Sequence, residues 1–499
     1  MVFLSAPFLF GFMPASLAGF FLLRRFAPGW SVPFLVGMSL AFLAATSALS
    51  LAVIVVSICV NRACASAMAA YPRERTAILA LGIAANIASV AWFKINPVTL
   101  SDTGSLFLVA GMPLGLSFYA FKQITYLIDR HEGRTPDAPL PQYLLFSTFF
   151  AHLPAGPITP YRGLQPQLAA LSRQKIDTGC LMAALALVII GAFKLRFFAG
   201  QISALTVPIY AAAADGTAAC LPEAVVASFG FLLELYYNFS GYSDIAIGLA
   251  LFFGLRLSPN FDSPLKAHRL GDYVMRWHMS FMLFARDYFF VHVQKALSRA
   301  LPFQSAVRRR LAAWIISVCA TFVLVMLWHT ANWTAFAISV VTAGAVIAAA
   351  LLRLRGRDSA GAPGRLARLG GVATCVGFAS VTIVFFRSGD ATSALTVLAG
   401  FADMRGLTMF FTEQAPTMET CPTLSATPDH MIVAAILVLA AAIAFAAPNT
   451  SRMFGFLPQP EGRAVFRPTL HWALFLGLIA WLAWLSDSPI PGGVIYAAF

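Results

Sequence analysis

The chain has 499 residues, of which 59% are hydrophobic and only 11% charged, whereas soluble domains carry about 25% charged residues. That composition excludes an ordinary soluble globule. The net charge of +13 does not point to nucleic acid, because lysine and arginine collect in the cytoplasmic loops of membrane proteins.

The first segment, "MVFLSAPFLFGFMPASLAGFFLLRRF", has no basic residue before its apolar run and two arginines after it. This is the reverse of a secretory signal. It predicts an uncleaved first helix with its N-terminus outside and Arg24 and Arg25 in the cytoplasm. Residues 32–60 are apolar, with arginines on both flanks (Arg24 and Arg25; Arg62, Arg73 and Arg75). Both flanks are then cytoplasmic, and the stretch reads as a tight pair of short helices or a hairpin that stops short of the far face. A span follows at 76–94. Residues 149–168 contain four prolines and two glycines. Irregular backbone at membrane depth survives only where protein or a water-filled cavity covers it, so this is a candidate re-entrant segment.

Apolar stretches recur at 180–193 (extended by 197–213), 222–255, 311–328, 333–352, 369–386, 431–447 and 470–485. A crossing helix needs roughly 20 such residues, and the window rule gives on the order of 11 crossings. The fold class is an all-α polytopic membrane protein, a single domain over 1–499. Residues 262–300 alternate charges with aromatics and read as interfacial helices on the cytoplasmic surface. Arginines flank 311–352, so that stretch is expected to form a two-helix hairpin with His329 near its turn. The seven cysteines (59, 64, 180, 220, 319, 375 and 421) form no Cys-x-x-Cys pair or metal-ligand spacing. They read as small buried hydrophobes without a disulfide framework.

Ionisable side chains inside spanning segments are costly and are functional candidates by default. Three clusters stand out. In "LLELYYNFSGYSDIAIGLALFFG", Tyr237, Gly241, Asp244 and Gly248 share a helical face, and Ser240 lies one turn before Asp244. They form either a polar seam that glues helices together or the lining of a cavity. In "MRWHMS" and "FARDYFF", His278 follows Trp277, Asp272 and Arg276 are spaced to pair on a helix, and Arg286 and Asp287 follow. In "VLVMLWHTANWTAF", His329 has Trp328 beside it and Asn332 and Trp333 one turn away. An imidazole titrates at about 6.5 when unperturbed and suits a general base that takes a proton from an attacking hydroxyl. A core histidine bonded to a neighbouring helix is the plain alternative. His152, inside the proline-broken segment, is the most notable of the remaining histidines.

These segments together resemble the membrane-bound O-acyltransferase family, and within it the membrane subunits of bacterial alginate O-acetylation. The resemblance is carried in order by "ILALGIAANIASVAWFK", "GLSFYAFKQITYLID", "AGPITPYRGLQPQL", "FSGYSDIAIGLALFFGLRLSPNF", "RWHMS" with "RDYFF", "LWHTANWTAF" and "FFRSGDATSAL". It implies a ring of tilted helices, with re-entrant and interfacial helices, around a thinned centre and a central tunnel. It implies His329 as the catalytic histidine and His278 as the second motif histidine. Tyr237, Ser240, Asp244, Trp277, Arg286, Asp287, Trp328, Asn332 and Trp333 would line or flank the passage. No cofactor is expected to be bound. The donor is a cytoplasmic thioester such as acetyl-CoA, and the location is the bacterial inner membrane with a periplasmic N-terminus. The expected acceptor is an alginate-like exopolysaccharide, reached through a periplasmic serine-esterase (SGNH-type) partner. Acyl transfer to teichoic acid or peptidoglycan, transport without catalysis, and a purely structural subunit are the rivals.

Overall fold

The structure, a computed structural model, describes residues 3–96, 112–329, 333–354, 364–404, 421, 423–424, 430–458 and 466–486. Every regular element among the described residues is a helix. α1 (Pro7–Phe26), α2 (Pro28–Thr46), α3 (Ala48–Ala70) and α4 (Arg75–Ile95) are each long and apolar enough to cross a membrane. α5 (Leu116–His131), α6 (Leu140–Thr148) and α7 (Tyr161–Ala170) are shorter. α8 (Thr178–Ala214) is the longest candidate span, and α9 (Phe231–Phe252) packs against it. Three short helices follow, α10 (Leu270–Arg276), α11 (Met279–Phe284) and α12 (Val291–Ala300). α13 (Ala306–His329), α14 (Trp333–Leu354) and α15 (Arg365–Arg387) bring the candidate spans to eight among the described residues. α16 (Ala391–Ala399), α17 (His430–Ala446) and α18 (Leu470–Leu485) are shorter apolar helices. The chain is therefore an all-α polytopic membrane protein.

The stretch 32–60 differs from its expected form. It contributes to two full helices, α2 and α3, that meet at Ser47, whose side chain accepts the Ser50 amide and starts α3. α3 runs on past residue 60 because its polar side chains find partners. Asn61 exchanges hydrogen bonds with Asn86 of α4 (2.7 and 3.2 Å), and Arg62 pairs with Asp137 (2.8 Å). The hairpin over 311–352 is present, as α13 and α14.

α9 lies inside the molecule, buried from Phe231 to Leu251. A helix apolar nearly all round is a core helix. Small residues let α8 approach it closely: a Cβ added to Gly191 would stand 2.5 Å from the Gly241 carbonyl oxygen, and one on Gly248 would stand 2.7 Å from that of Ala184. The proline-broken segment is buried without a break from Phe149 to Thr159, with no helix between α6 and α7. Gly115 packs against it at φ +68°, and a Cβ there would sit 2.1 Å from the Leu153 carbonyl oxygen, so only glycine fits.

Residues 262–300 are only partly superficial. α12 has no buried residue and keeps the interfacial character. His278, Ser280 and Phe281 are buried, because a left-handed residue at His278 (φ +46°) turns the chain inward between α10 and α11.

The helix ends divide between two faces. On one, Arg24 donates to the Gln174 carbonyl, Arg256 to that of Gly455 (2.7 Å), and Arg452 pairs with Asp262 (2.6 Å). Gln174 adjoins the start of α8. Beyond the other end of α8, Cys220 forms a disulfide with Cys421, their Cα atoms 5.5 Å apart. Glu223 accepts the amides of Thr423 (2.7 Å) and Leu424 (3.0 Å) beside it. The disulfide corrects the reading of all cysteines as isolated hydrophobes. The partners are 201 residues apart, so no local spacing reveals them.

Candidate active site

His329 is the last residue of α13, the far end of a helix whose first turns carry Arg308, Arg309 and Arg310. Its side chain lines a cavity of about 150 Å³. His278 lines the same cavity, with Trp277, Tyr273, Phe281, Met326 and Phe386 among the other walls. Both histidines are buried, at 3% and 8% exposure for His278 and His329. Phe281 stands between them, its ring centroid 5.1 Å from His278 and 6.4 Å from His329. Phe386 of α15 presents its ring to His329 at 5.4 Å, and Phe239 of α9 meets His278 edge-on at 4.5 Å.

His278 is held at a backbone break. Non-glycine residues with positive φ are uncommon, and held outliers cluster at functional sites. Asn260 secures this one. Its backbone carbonyl accepts the Met279 amide (2.8 Å). Its side-chain oxygen accepts from Ser280 Oγ (2.5 Å) and from His278 Nδ1 (3.2 Å), and its Nδ2 donates to Ser243 Oγ (2.9 Å). With Nδ1 donating, Nε2 of the neutral ring carries the lone pair.

A groove of about 620 Å³ runs along α10, α14 and α15, lined by His268, Arg269 and Arg353 among apolar side chains. Leu270 and Phe378 line both the groove and the histidine cavity, so the two spaces adjoin. Small-molecule sites typically occupy about 300–1,000 Å³.

The structure gathers His278, His329 and Trp277 into one cavity and sorts the other expected residues elsewhere. Trp328 is buried behind it, boxed by the rings of Phe118 (6.0 Å), Phe121 (5.2 Å) and Phe281 (4.8 Å). Trp333 begins α14 and is 85% exposed. Asn332 lies outside the described residues. Tyr237, Ser240 and Asp244 are buried in α9 but do not line the histidine cavity, to which α9 contributes Leu235. Tyr237 donates to the Ala440 carbonyl (2.6 Å), and Asp244 binds Lys194 (2.7 Å). A second cavity of about 260 Å³ lies on that side of α9, lined by Lys194, Tyr236, Tyr237, Thr450 and Trp472 among others. Arg286 and Asp287 pair with each other (2.7 Å), and Asp287 also pairs with Arg162 (3.4 Å), away from the histidines. Asp272 and Arg276 form no ion pair among the described residues. His152 is buried against Lys122 (2.6 Å).

Sequence reasoning missed Asn260, Phe281 and the groove residues His268 and Arg269. Asn260 sits in "LRLSPNFDSP", where turn-forming residues disguise it as loop. Its signal was being the polar side chain in the apolar-flanked "PNF" just before the charged segment.

A family model described as the membrane-bound O-acyltransferase family matches residues 131–386. A peptidoglycan O-acetyltransferase of Helicobacter pylori is 27% identical over 91% of this chain and 90% of its own length. A probable alginate O-acetylase of Azotobacter vinelandii is 30% identical over 51% of this chain and 50% of its own. A teichoic acid D-alanyltransferase of Streptococcus thermophilus is 27% identical over 48% of this chain and 56% of its own.

Proposed function

The chain belongs to the membrane-bound O-acyltransferase family, and we propose that it moves acetyl from cytoplasmic acetyl-CoA to a hydroxyl serving an envelope polysaccharide across the membrane. One observation carries this reading: two buried histidines share a cavity that adjoins, at Leu270 and Phe378, a groove bearing Arg269, Arg353 and His268. Cationic side chains suit the phosphates of a thioester donor, and an apolar cavity beyond them suits its acyl end. A cavity near 150 Å³ is about the size that holds benzene, so it has room for an acetyl group.

In the proposed step His329 accepts the proton of the attacking hydroxyl. The oxygen adds to the thioester carbonyl, the C–O bond forms, and the C–S bond breaks. The thiolate leaves with the proton that the imidazole returns. His278, fixed by Asn260, positions donor or acceptor. Two independent features support one orientation in the membrane. The arginine-rich face is cytoplasmic by the positive-inside rule, and the Cys220–Cys421 disulfide belongs on the oxidising, periplasmic side. The N-terminus is then periplasmic, in a bacterial inner membrane.

The relative matching nearly the whole chain is named for peptidoglycan, and relatives matching over about half their length are named for alginate. Both acceptors offer a sugar hydroxyl, which in this proposal is reached through a periplasmic SGNH-type partner. The test is labelled-acetyl transfer in membranes, with peptidoglycan fragments and exopolysaccharide offered side by side. His329→Ala is expected to lower transfer by about 10²–10⁴-fold, the usual contribution of a general base. A folded His329→Ala variant that transfers at the parent rate overturns the mechanism. A D-alanyl donor used in preference to acetyl overturns the donor assignment.

A further inference from the structure

The described part of α13 runs to His329, and the last carbonyls of any helix lack intrahelical partners. Away from water such groups need donors from protein. Lys94 supplies them. Between Arg75 and Ile95 it is the one charged side chain of α4, and its Nζ donates to the Trp328 carbonyl and reaches that of His329 at 3.5 Å. A cationic group is also the favourable charge at a helix C-terminus. Trp328, the residue bonded directly, is clasped by Phe118, Phe121 and Phe281 on its other side. The end of α13 is thus gripped at Trp328 by α4, α5 and α11, and the next residue is the histidine of the cavity.

We propose that Lys94 is a positioning residue for the acyl transfer read above, fixing where His329 stands by binding the carbonyls that end α13. The proposal rests on that reading for its kinetic consequence but not for its geometry. The same device occurs where no cavity histidine stands at the helix end. Lys266 donates to the Ala447 carbonyl, just past the end of α17 (2.5 Å). Lys266 is therefore the internal control for losing a lysine that holds a helix end.

The experiment uses the full chain in membranes, with transfer normalised to folded protein and three variants, Lys94→Met, Lys94→Arg and Lys266→Met. Displacing a catalytic group by about 1 Å costs up to roughly 10²-fold. Lys94→Met is therefore expected to lower kcat at least about tenfold, with donor KM nearly unchanged. Lys94→Arg restores most of the rate, and Lys266→Met leaves kcat per folded molecule at the parent level. A second readout needs no transfer: the rate at which diethyl pyrocarbonate modifies His329, mapped by mass spectrometry, shifts several-fold in Lys94→Met and not in Lys266→Met. If the parent chain transfers no acyl group, the functional reading fails and the modification rate alone decides the role of Lys94. A Lys94→Met variant with the parent kcat and modification rate, or one whose loss tracks only the amount of folded protein, overturns the proposal.

Discussion

Replacing Lys194 by methionine leaves the Asp244 carboxylate inside the helix bundle without its cation. The pair is close (2.7 Å) and enclosed, with side chains 13% and 5% exposed. Thr450 Oγ1 donates to both carboxylate oxygens, at 3.2 and 3.0 Å, and accepts from Lys194 at 3.0 Å. The cluster therefore joins α8, α9 and the turn after α17. Removing one partner of a buried pair costs about 3–5 kcal/mol, because the other charge stays buried, whereas exchanging both for apolar residues is often neutral or stabilising. Lys194→Met and Asp244→Leu are thus each expected to destabilise by that amount, and the double variant to recover most of it. Thermal unfolding in detergent micelles measures this, and labelled-acetyl transfer measures function beside it. The double variant is expected to keep the parent transfer rate, since Asp244 does not line the histidine cavity. If the double variant is as unstable as the singles, the pair is not a compensated seam. If it folds but transfers nothing, Asp244 acts in the passage and the reasoning from its position is wrong.

Asn260→Ala removes three side-chain hydrogen bonds, at about 1 kcal/mol each. It should cost about 3 kcal/mol of stability and lower kcat more than donor KM; transfer kinetics on the folded fraction check this. Gly191→Ala drives a Cβ to 2.5 Å from the Gly241 carbonyl oxygen and should cost roughly 1–3 kcal/mol by overpacking. Gly377→Ala, with nothing within 4 Å of its added Cβ in the interior of α15, should keep or slightly raise the melting temperature, since alanine favours a helix interior by about 0.5–1 kcal/mol over glycine. Cys220→Ser should destabilise by about 2–4 kcal/mol, typical of a lost disulfide. In the denatured, unreduced parent, five cysteines should take a maleimide mass tag, and after reduction seven. Seven without reductant would remove the disulfide and the orientation drawn from it.

Local features of the sequence were easy to read because their cause is local. The apolar runs became helices, and the prolines at 154, 157 and 160 leave irregular backbone that the protein buries over 149–159. Pairings across the chain were hidden. Asp244 declared itself as a costly residue in an apolar helix, but whether it faced a cavity or Lys194 depends on how α8 and α9 rotate against each other. Gly191 and Gly241 set that rotation from 50 residues apart. Arg286 and Asp287 resembled site residues only because they sit in a motif with His278. The left-handed turn at His278 sends the histidine inward and leaves that pair at the surface with Arg162.

The polar residues that a hydropathy plot marks as anomalies do two different jobs, and the distinction explains where the site lies. Helices interrupted at depth expose backbone groups that water does not reach, so each interruption recruits side chains. Lys122 donates to the carbonyls of Phe146 and Ser147 at the end of α6 (3.2 and 3.3 Å). Ser39 accepts the Phe150 amide (3.3 Å), Ser280 that of Ile158 (3.0 Å), and Lys94 binds the end of α13. These groups are spent on the backbone. His278 and His329 stand at two of the same interruptions, yet their rings face a shared apolar cavity. An unbroken helix would place a histidine against a neighbour at a fixed pitch, with its backbone already satisfied. A break frees the direction of the side chain and calls up the residues that hold it there. The breaks that make this chain hard to thread through a bilayer are therefore what allow two imidazoles from distant segments to meet inside it.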